Sequence, residues 1–207
     1  MAISALAALH QLQEGNQRFV SNVRSLDTML SFLRRGDMAA GQSPCAIILG
    51  CSDSRVPAEL VFDQGLGDLF VIRVAGNIVA PSQIGSVEFA ADLFGTRLVV
   101  ILGHSQCGAV KATLDELRSP SDSAHSRNLR SIVGRIRPAV EGLLATDVAK
   151  DPDALADAAC RANVRASADQ LRHGSEIIER LCAEEGLLIV GAQYSLETGV
   201  VDVFERA

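Results

Sequence analysis

Two short apolar runs constrain this chain more than any other feature: CAIILG over residues 45–50 and RLVVILG over 97–103. Each ends in glycine and is followed at once by a reactive side chain, Cys51 after the first and His104 after the second. Runs this short and this continuously rich in Ile, Leu and Val read as strands buried on both faces, the pattern of a parallel sheet. Between them, DLFVIRVA is a third strand candidate, and a helix from about Gln83 to Phe94 places Ile84, Val87, Ala91 and Phe94 on one face. Strand alternating with helix predicts an α/β fold with a mainly parallel central sheet and flanking helices. The closing segment LLIVGAQYSLETGVVDVFE holds two more strand candidates joined by a short turn around Glu197 to Gly199, which predicts an antiparallel hairpin at the sheet edge.

The remaining chain reads as helix and connector. Leu6, Leu9, Leu12 and then Phe19 trace one face of an amphipathic helix running to about Asn22, and a second helix covers Leu26 to Arg35, so that residues 1–35 form a helical arm. Gly36 to Pro44 is a connector. After His104, AVKATLDELR continues as helix, SPSDSAHSR is a surface loop, and Leu129, Ile132, Val133, Ile136, Val140 and Leu143 form another helical stripe. Asp151 as N-cap with Pro152 at the first helical position opens a long alanine-rich helical region to Gly186, with a break at Gly174. No internal repeat or linker divides the chain, and residues 1–207 read as one domain.

Composition excludes several partners. The 207 residues carry a formal net charge of −6, and nucleic acid or an anionic membrane would need clustered Lys and Arg. No apolar run reaches the roughly 18 residues of a membrane span. The N-terminus lacks the basic start and cleavage site of a signal peptide, so the expected location is cytoplasmic. Five cysteines, Cys45, Cys51, Cys107, Cys160 and Cys182, then read as buried thiols or metal ligands rather than as a disulfide framework. A small-molecule substrate is the expected partner.

In open parallel sheets, chemistry collects beyond the carboxyl ends of the strands, where Cys51 and His104 both stand. If their strands are neighbours, Cys51 faces the stretch His104-Ser-Gln-Cys107, and two thiolates and an imidazole converge. That donor set suits zinc, and three protein ligands leave a fourth position open, as in catalytic sites. Cys107 also opens a helix, whose positive end favours a thiolate.

CSDSRVP at Cys51 to Pro57 and GHSQCGAV at Gly103 to Val110 resemble the two zinc-ligand motifs of beta-class carbonic anhydrases. The likeness extends to EGNQRF near the N-terminus, to GDLFVIRVAGN between the motifs and to VGAQYSLETG near the end. The resemblance implies zinc on Cys51, His104 and Cys107, a catalytic dyad of Asp53 and Arg55, and reversible hydration of carbon dioxide to bicarbonate and a proton by zinc-bound hydroxide. Zinc lowers the pKa of bound water from about 15.7 toward roughly 7. Two thiolates donate more charge than imidazoles would, so the expected activity favours alkaline pH. From the plant-type branch the resemblance adds Gln42, Phe70 and Phe89 as substrate-pocket residues, Phe89 standing where that branch usually has tyrosine. Glu88 is placed near the pocket mouth, as a group able to pass protons to buffer. Some members bind regulatory bicarbonate through a tryptophan three residues before the first zinc cysteine; here that residue is Ile48, and the expectation is that this site is absent.

The family's sites form between two subunits, with the N-terminal helix embracing the partner, which implies a homodimer or a dimer of dimers. The apolar stripe of the first helix fits that role and fits packing within one subunit equally. His10, His125 and His173 are expected to be structural or solvent-exposed. Two rival functions share the same residues: a zinc hydrolase acting on carbonyl sulfide or carbon disulfide, and a noncatalytic homologue using its zinc for folding or its thiols for redox sensing.

Overall fold

The two apolar runs become neighbouring parallel strands. A computed structural model of the chain describes residues 3–31, 36, 39, 41–119 and 126–206. In it β1 (Ala46–Gly50) pairs with β3 (Leu98–His104) from Ile47 opposite Val99 to Gly50 opposite Leu102. With β2 (Leu69–Arg73), β4 (Leu188–Tyr194) and β5 (Val201–Arg206) they form a five-stranded sheet in the order β2-β1-β3-β4-β5. All pairs are parallel except β4 with β5, the expected edge hairpin.

Every residue of β1 and β3 is buried, because helices cover both sheet faces and leave no wet side for a polar residue to occupy. Ile48 and Val100 face one apolar cluster with Leu9, Leu12, Val61, Phe62 and Val190. Ile47, Leu49, Val99 and Ile101 face the other, with Val87, Ala90, Val164 and Ile178. This split follows from the two-residue period of a strand. Each buried Leu, Ile or Val contributes roughly 1.5–3 kcal/mol relative to an exposed one, so the residues that build the sheet also anchor its carboxyl ends.

Helix α1 (Ala5–Val20) and the short α2 (Leu26–Leu30) precede the sheet, α3 (Ala58–Val61) follows β1, and α4 (Pro81–Leu93) connects β2 to β3. After β3 come α5 (Gly108–Arg118), α6 (Arg127–Val140), α7 (Pro152–His173) and α8 (Glu176–Glu184). Asp151 caps α7 by accepting from the amides of Asp153 and Ala154, with Pro152 at the first helical position, as its sequence predicts. The helical region breaks at Gly174, and Ser175 starts α8 by accepting from the Ile178 amide.

Two expectations shift, and a third runs outside the described residues. Leu6 lies off the buried face of α1 and is 70% exposed; the face that packs is Ala5, Ala8, Leu9, Leu12, Gly15 and Asn16, since small residues let the helix approach the sheet more closely than a leucine would. Helix α6 stops at Val140, after Pro138, and Leu143 belongs to a 3₁₀ turn at Glu141–Ala145, because proline removes an amide from the helical ladder. The second helix is described only over Leu26–Leu30, and the expected continuation over 32–35 lies outside the described residues, as does His125.

Candidate metal centre

Cys51 is the residue after β1, His104 is the last residue of β3, and Cys107 is the N-cap of α5. Because β1 and β3 are adjacent and parallel, both chain exits open on the same side. The Cys51, His104 and Cys107 donor atoms lie within 4.8 Å of one another, and all three residues are buried. Tetrahedral zinc sites, with Zn–S near 2.3 Å and Zn–N near 2.0–2.1 Å, bring such donors to separations of roughly 3.5–3.8 Å. Small side-chain adjustments close that gap.

The imidazole is set for a metal. His104 Nδ1 stands 2.8 Å from the Ser105 carbonyl oxygen, which can only accept, so Nδ1 carries the proton. Its Nε2 is therefore a bare lone pair, fully buried and without a hydrogen-bond partner. An orphaned acceptor of this kind costs stability unless something electrophilic meets it. Ser105 is itself held: its amide donates to the Tyr194 carbonyl, and its hydroxyl accepts from the Leu196 amide at 2.9 Å.

The two thiols complete the fit. Cys51 is pulled down to about 4, first by the Cys107 thiol donating to it and then, against its own burial, by the amides of Gly76 and Asp53. Donating to Cys51 and being buried push the Cys107 thiol upward. Two buried sulfurs in contact cannot both be ionised without a cation between them, and a divalent ion supplies that condition. The residues fit zinc.

Asp53 sits at the rim. Its carboxylate takes a two-pronged grip from Arg55, Nε to Oδ1 at 2.9 Å and an η nitrogen to Oδ2 at 2.7 Å, and accepts from the Arg55 amide as well. These contacts hold its pKa well below the usual carboxylate range, Arg55 being the largest cause. Asp53 Oδ2 lies 4.0 Å from His104 Nε2. Arg73, at the end of β2, clamps the same loop by donating to the carbonyls of Cys51 at 3.0 Å and Asp53 at 2.5 Å.

The family model described as carbonic anhydrase matches residues 46–201, the span that carries every one of these groups. The chain belongs to the beta-carbonic anhydrase family. It is 39% identical over 194 residues to carbonic anhydrase 2 of Mycobacterium tuberculosis (strain ATCC 25618 / H37Rv), covering 94% of this chain and 90% of that protein. Against a carbonic anhydrase of Mycolicibacterium smegmatis it is 37% identical over 203 residues, covering 96% and 92%. Among solved structures, a tetrameric beta-carbonic anhydrase of Sordaria macrospora superposes with a TM-score of 0.74 at 23% identity, over 96% of this chain and 97% of that one. The beta-carbonic anhydrase CafA of Aspergillus fumigatus gives 0.75 at 25% identity, over 96% and 89%.

Measured against that family, the structure gathers some of the anticipated residues and leaves others apart. Cys51, His104, Cys107, Asp53 and Arg55 come together. Phe70 instead pairs with Ile47 near the start of β1 and stacks in an aromatic group with Phe89 and Phe94, at centroid separations of 6.2 and 6.1 Å. Phe89 is 52% exposed on α4, and Gln42 is exposed ahead of β1, the end of that strand opposite Cys51. Glu88 accepts from the Ser175 hydroxyl and lies beside Phe89 rather than beside Asp53. His10 and His173 are exposed next to Glu14 and Asp169. Ile48 is wholly buried in the sheet. Arg73 and Gly76 carry no motif of their own; the one signal for them in the sequence is that both lie in the segment GDLFVIRVAGN, which carries part of the family likeness.

Proposed function

We propose that this carbonic anhydrase catalyses the reversible hydration of carbon dioxide to bicarbonate and a proton at the carboxyl end of β1 and β3, with zinc held by Cys51, His104 and Cys107. The observation that carries the assignment is the bare, buried Nε2 of His104 aimed into a pair of cysteine sulfurs. Zinc, when bound, supplies the Lewis acidity that makes water a nucleophile near neutral pH.

The chain's own residues do the rest. Asp53, kept ionised by Arg55, can only accept a hydrogen bond. A solvent molecule that donates to it must turn its lone pair away from the carboxylate, toward the carbon of the substrate. Arg55 also engages both carboxylate oxygens, which restrains Asp53 from swinging onto the metal itself. Arg73 fixes the backbone between Cys51 and Asp53, so ligand and acceptor move as one unit.

Gln42, Phe70 and Phe89 form the substrate pocket in an assembly of chains, a homodimer or a dimer of dimers, where the exposed Gln42 and Phe89 and the half-buried Phe70 meet a neighbouring metal centre. The apolar exposure of Phe89 supports this, and α1 packs its buried face on its own sheet. Light scattering of the purified protein is expected to give a dimer or tetramer; a monomer with full activity would overturn the shared pocket. A cytoplasmic location belongs to the same proposal, supported by five free thiols suited to a reducing compartment. No helix among the described residues is long and apolar enough to cross a membrane.

The deciding experiment pairs metal analysis with stopped-flow carbon dioxide hydration. Wild type is expected to carry one zinc per chain and to be active; Cys51→Ser is expected to lose both. Full zinc without activity would overturn the catalytic reading, and sulfide release from carbonyl sulfide or carbon disulfide in place of hydration would overturn the substrate.

A further inference from the structure

Asn163 and Ser167 stand one turn apart on the buried face of α7 and are only 2% and 4% exposed. A buried amide and hydroxyl must find partners, and both find them across the end of the sheet. Asn163 Nδ2 donates to the Gly76 carbonyl at 2.7 Å, and Ser167 Oγ donates to the Asn77 carbonyl at 3.1 Å. The same turn, Ala75–Asn77, aims the Gly76 amide at Cys51 Sγ, 3.3 Å away.

That turn does not sit comfortably by itself. Gly76 has φ 70° and Asn77 φ 42°, both left-handed. A Cβ at Gly76 would come within 2.8 Å of Ile136 Cδ1 and 3.0 Å of Ala109 Cβ, so α5 and α6 press on it from outside. The height of α7 is set independently: a Cβ at Gly103 would meet Val164 at 2.5 Å, and the helix therefore rests directly on the strand that ends in His104. Cys160, on the same helix, lies against the Cys107 amide. One face of α7 thus backs both sulfur-bearing loops.

We infer that Asn163 and Ser167 are positioning residues of the metal centre: by pinning the two carbonyls of the Ala75–Asn77 turn they hold the Gly76 amide on the Cys51 sulfur. This rests on the reading of Cys51 as a zinc ligand. An amide donating to a thiolate draws charge from the sulfur and weakens its donation to the metal, and outer partners of this sort also fix ligand direction. Neither side chain touches substrate.

The test uses the full chain in zinc-loaded and cobalt(II)-substituted forms. Asn163→Ala is expected to move the sulfur-to-cobalt charge-transfer band to longer wavelength, because the freed thiolate is the better electron donor, and to weaken zinc binding in a chelator competition by about tenfold, because the lost orientation of the Cys51 loop outweighs that gain. Ser167→Ala should shift both in the same direction by less, and Ser167→Thr, which keeps the hydroxyl, should restore the wild-type band. If Asn163→Ala does not fold, the Ser167 pair decides. Folded alanine variants with the wild-type band and zinc affinity overturn the inference. Cys51→Ser separates the two levels: an unchanged band in that variant removes Cys51 as a ligand, whereas loss of the band there beside an unchanged one in Asn163→Ala removes only the role of α7.

Discussion

Asp53 and Asp63 are both held by arginine, on either side of the short helix α3, and their surroundings differ completely. Asp53 keeps 18% of its side chain exposed, its partner Arg55 is half-exposed, and His104 Nε2 lies 4.0 Å from its carboxylate. Asp63 has a fully buried side chain that meets Arg18 at 2.6 Å, Arg24 at 3.5 Å and the Ser25 amide at 3.0 Å. Those partners come from α1 and the segment leading into α2, so Asp63 staples the N-terminal arm to the body of the protein. The first pair presents a charge to the His104 nitrogen and to solvent; the second keeps a charge away from everything except its partners. What an ion pair does is decided by what else stands within reach, not by the pair.

Breaking the first arrangement is expected to have the largest effect. Asp53→Asn keeps the shape but gives solvent a group able to donate, and should lower kcat/KM by about 10²-fold or more with Tm unchanged within experimental error. Stopped-flow hydration beside a thermal melt checks both halves. Full activity in this variant would remove Asp53 from the mechanism.

The second arrangement should fail in the opposite way. Asp63→Ala removes several charge-assisted hydrogen bonds at once, and with such bonds worth about 1.5–3 kcal/mol each the expected loss is about 3 kcal/mol. The two arginines can still reach water, which limits the penalty. For a chain of this length that corresponds to a fall in Tm of roughly 6–12 °C, while kcat per zinc-loaded folded protein stays at the wild-type value. A wild-type Tm would show that the arm is held by apolar contacts alone.

The smallest effect is a difference in acid sensitivity. Burial pushes the Asp63 carboxyl up, but Arg18, the Ser25 amide and Arg24 outweigh it and leave the pKa below the ordinary value. A depressed folded pKa stabilises the protein above the unfolded value of about 3.9 and loses that contribution as pH falls toward the folded one. Chemical denaturation of wild type and Asp63→Ala at decreasing pH should therefore show their stabilities converging below about pH 4. Curves that stay parallel there would count against the ionised form of Asp63 as the staple.

The same contrast explains how much of the protein was legible beforehand. Asp53 and Arg55 follow Cys51 in one short loop, so their relation is local and survives as a motif. The partners of Asp63 lie 45 and 38 residues away for Arg18 and Ser25, and no spacing rule joins them. The α7 contacts are further still, 87 residues for Asn163 to Gly76 and 90 for Ser167 to Asn77. Leu6 was misplaced for a related reason: helical periodicity offers more than one apolar face, and the surface against which α1 packs made the choice.

From the amino-acid order alone came the buried parallel strands, the cysteine and histidine at their ends and the acid-arginine loop, because continuous apolar runs and short motifs encode their geometry within a few residues. Only the tertiary structure decided which strands are neighbours, which nitrogen of His104 is left bare, that α7 backs the Cys51 sulfur, and that Phe70 packs with Phe89 and Phe94 rather than against the cysteines. Those outcomes depend on packing between distant segments, where the free energy belongs to the assembled surfaces and no local stretch contains it.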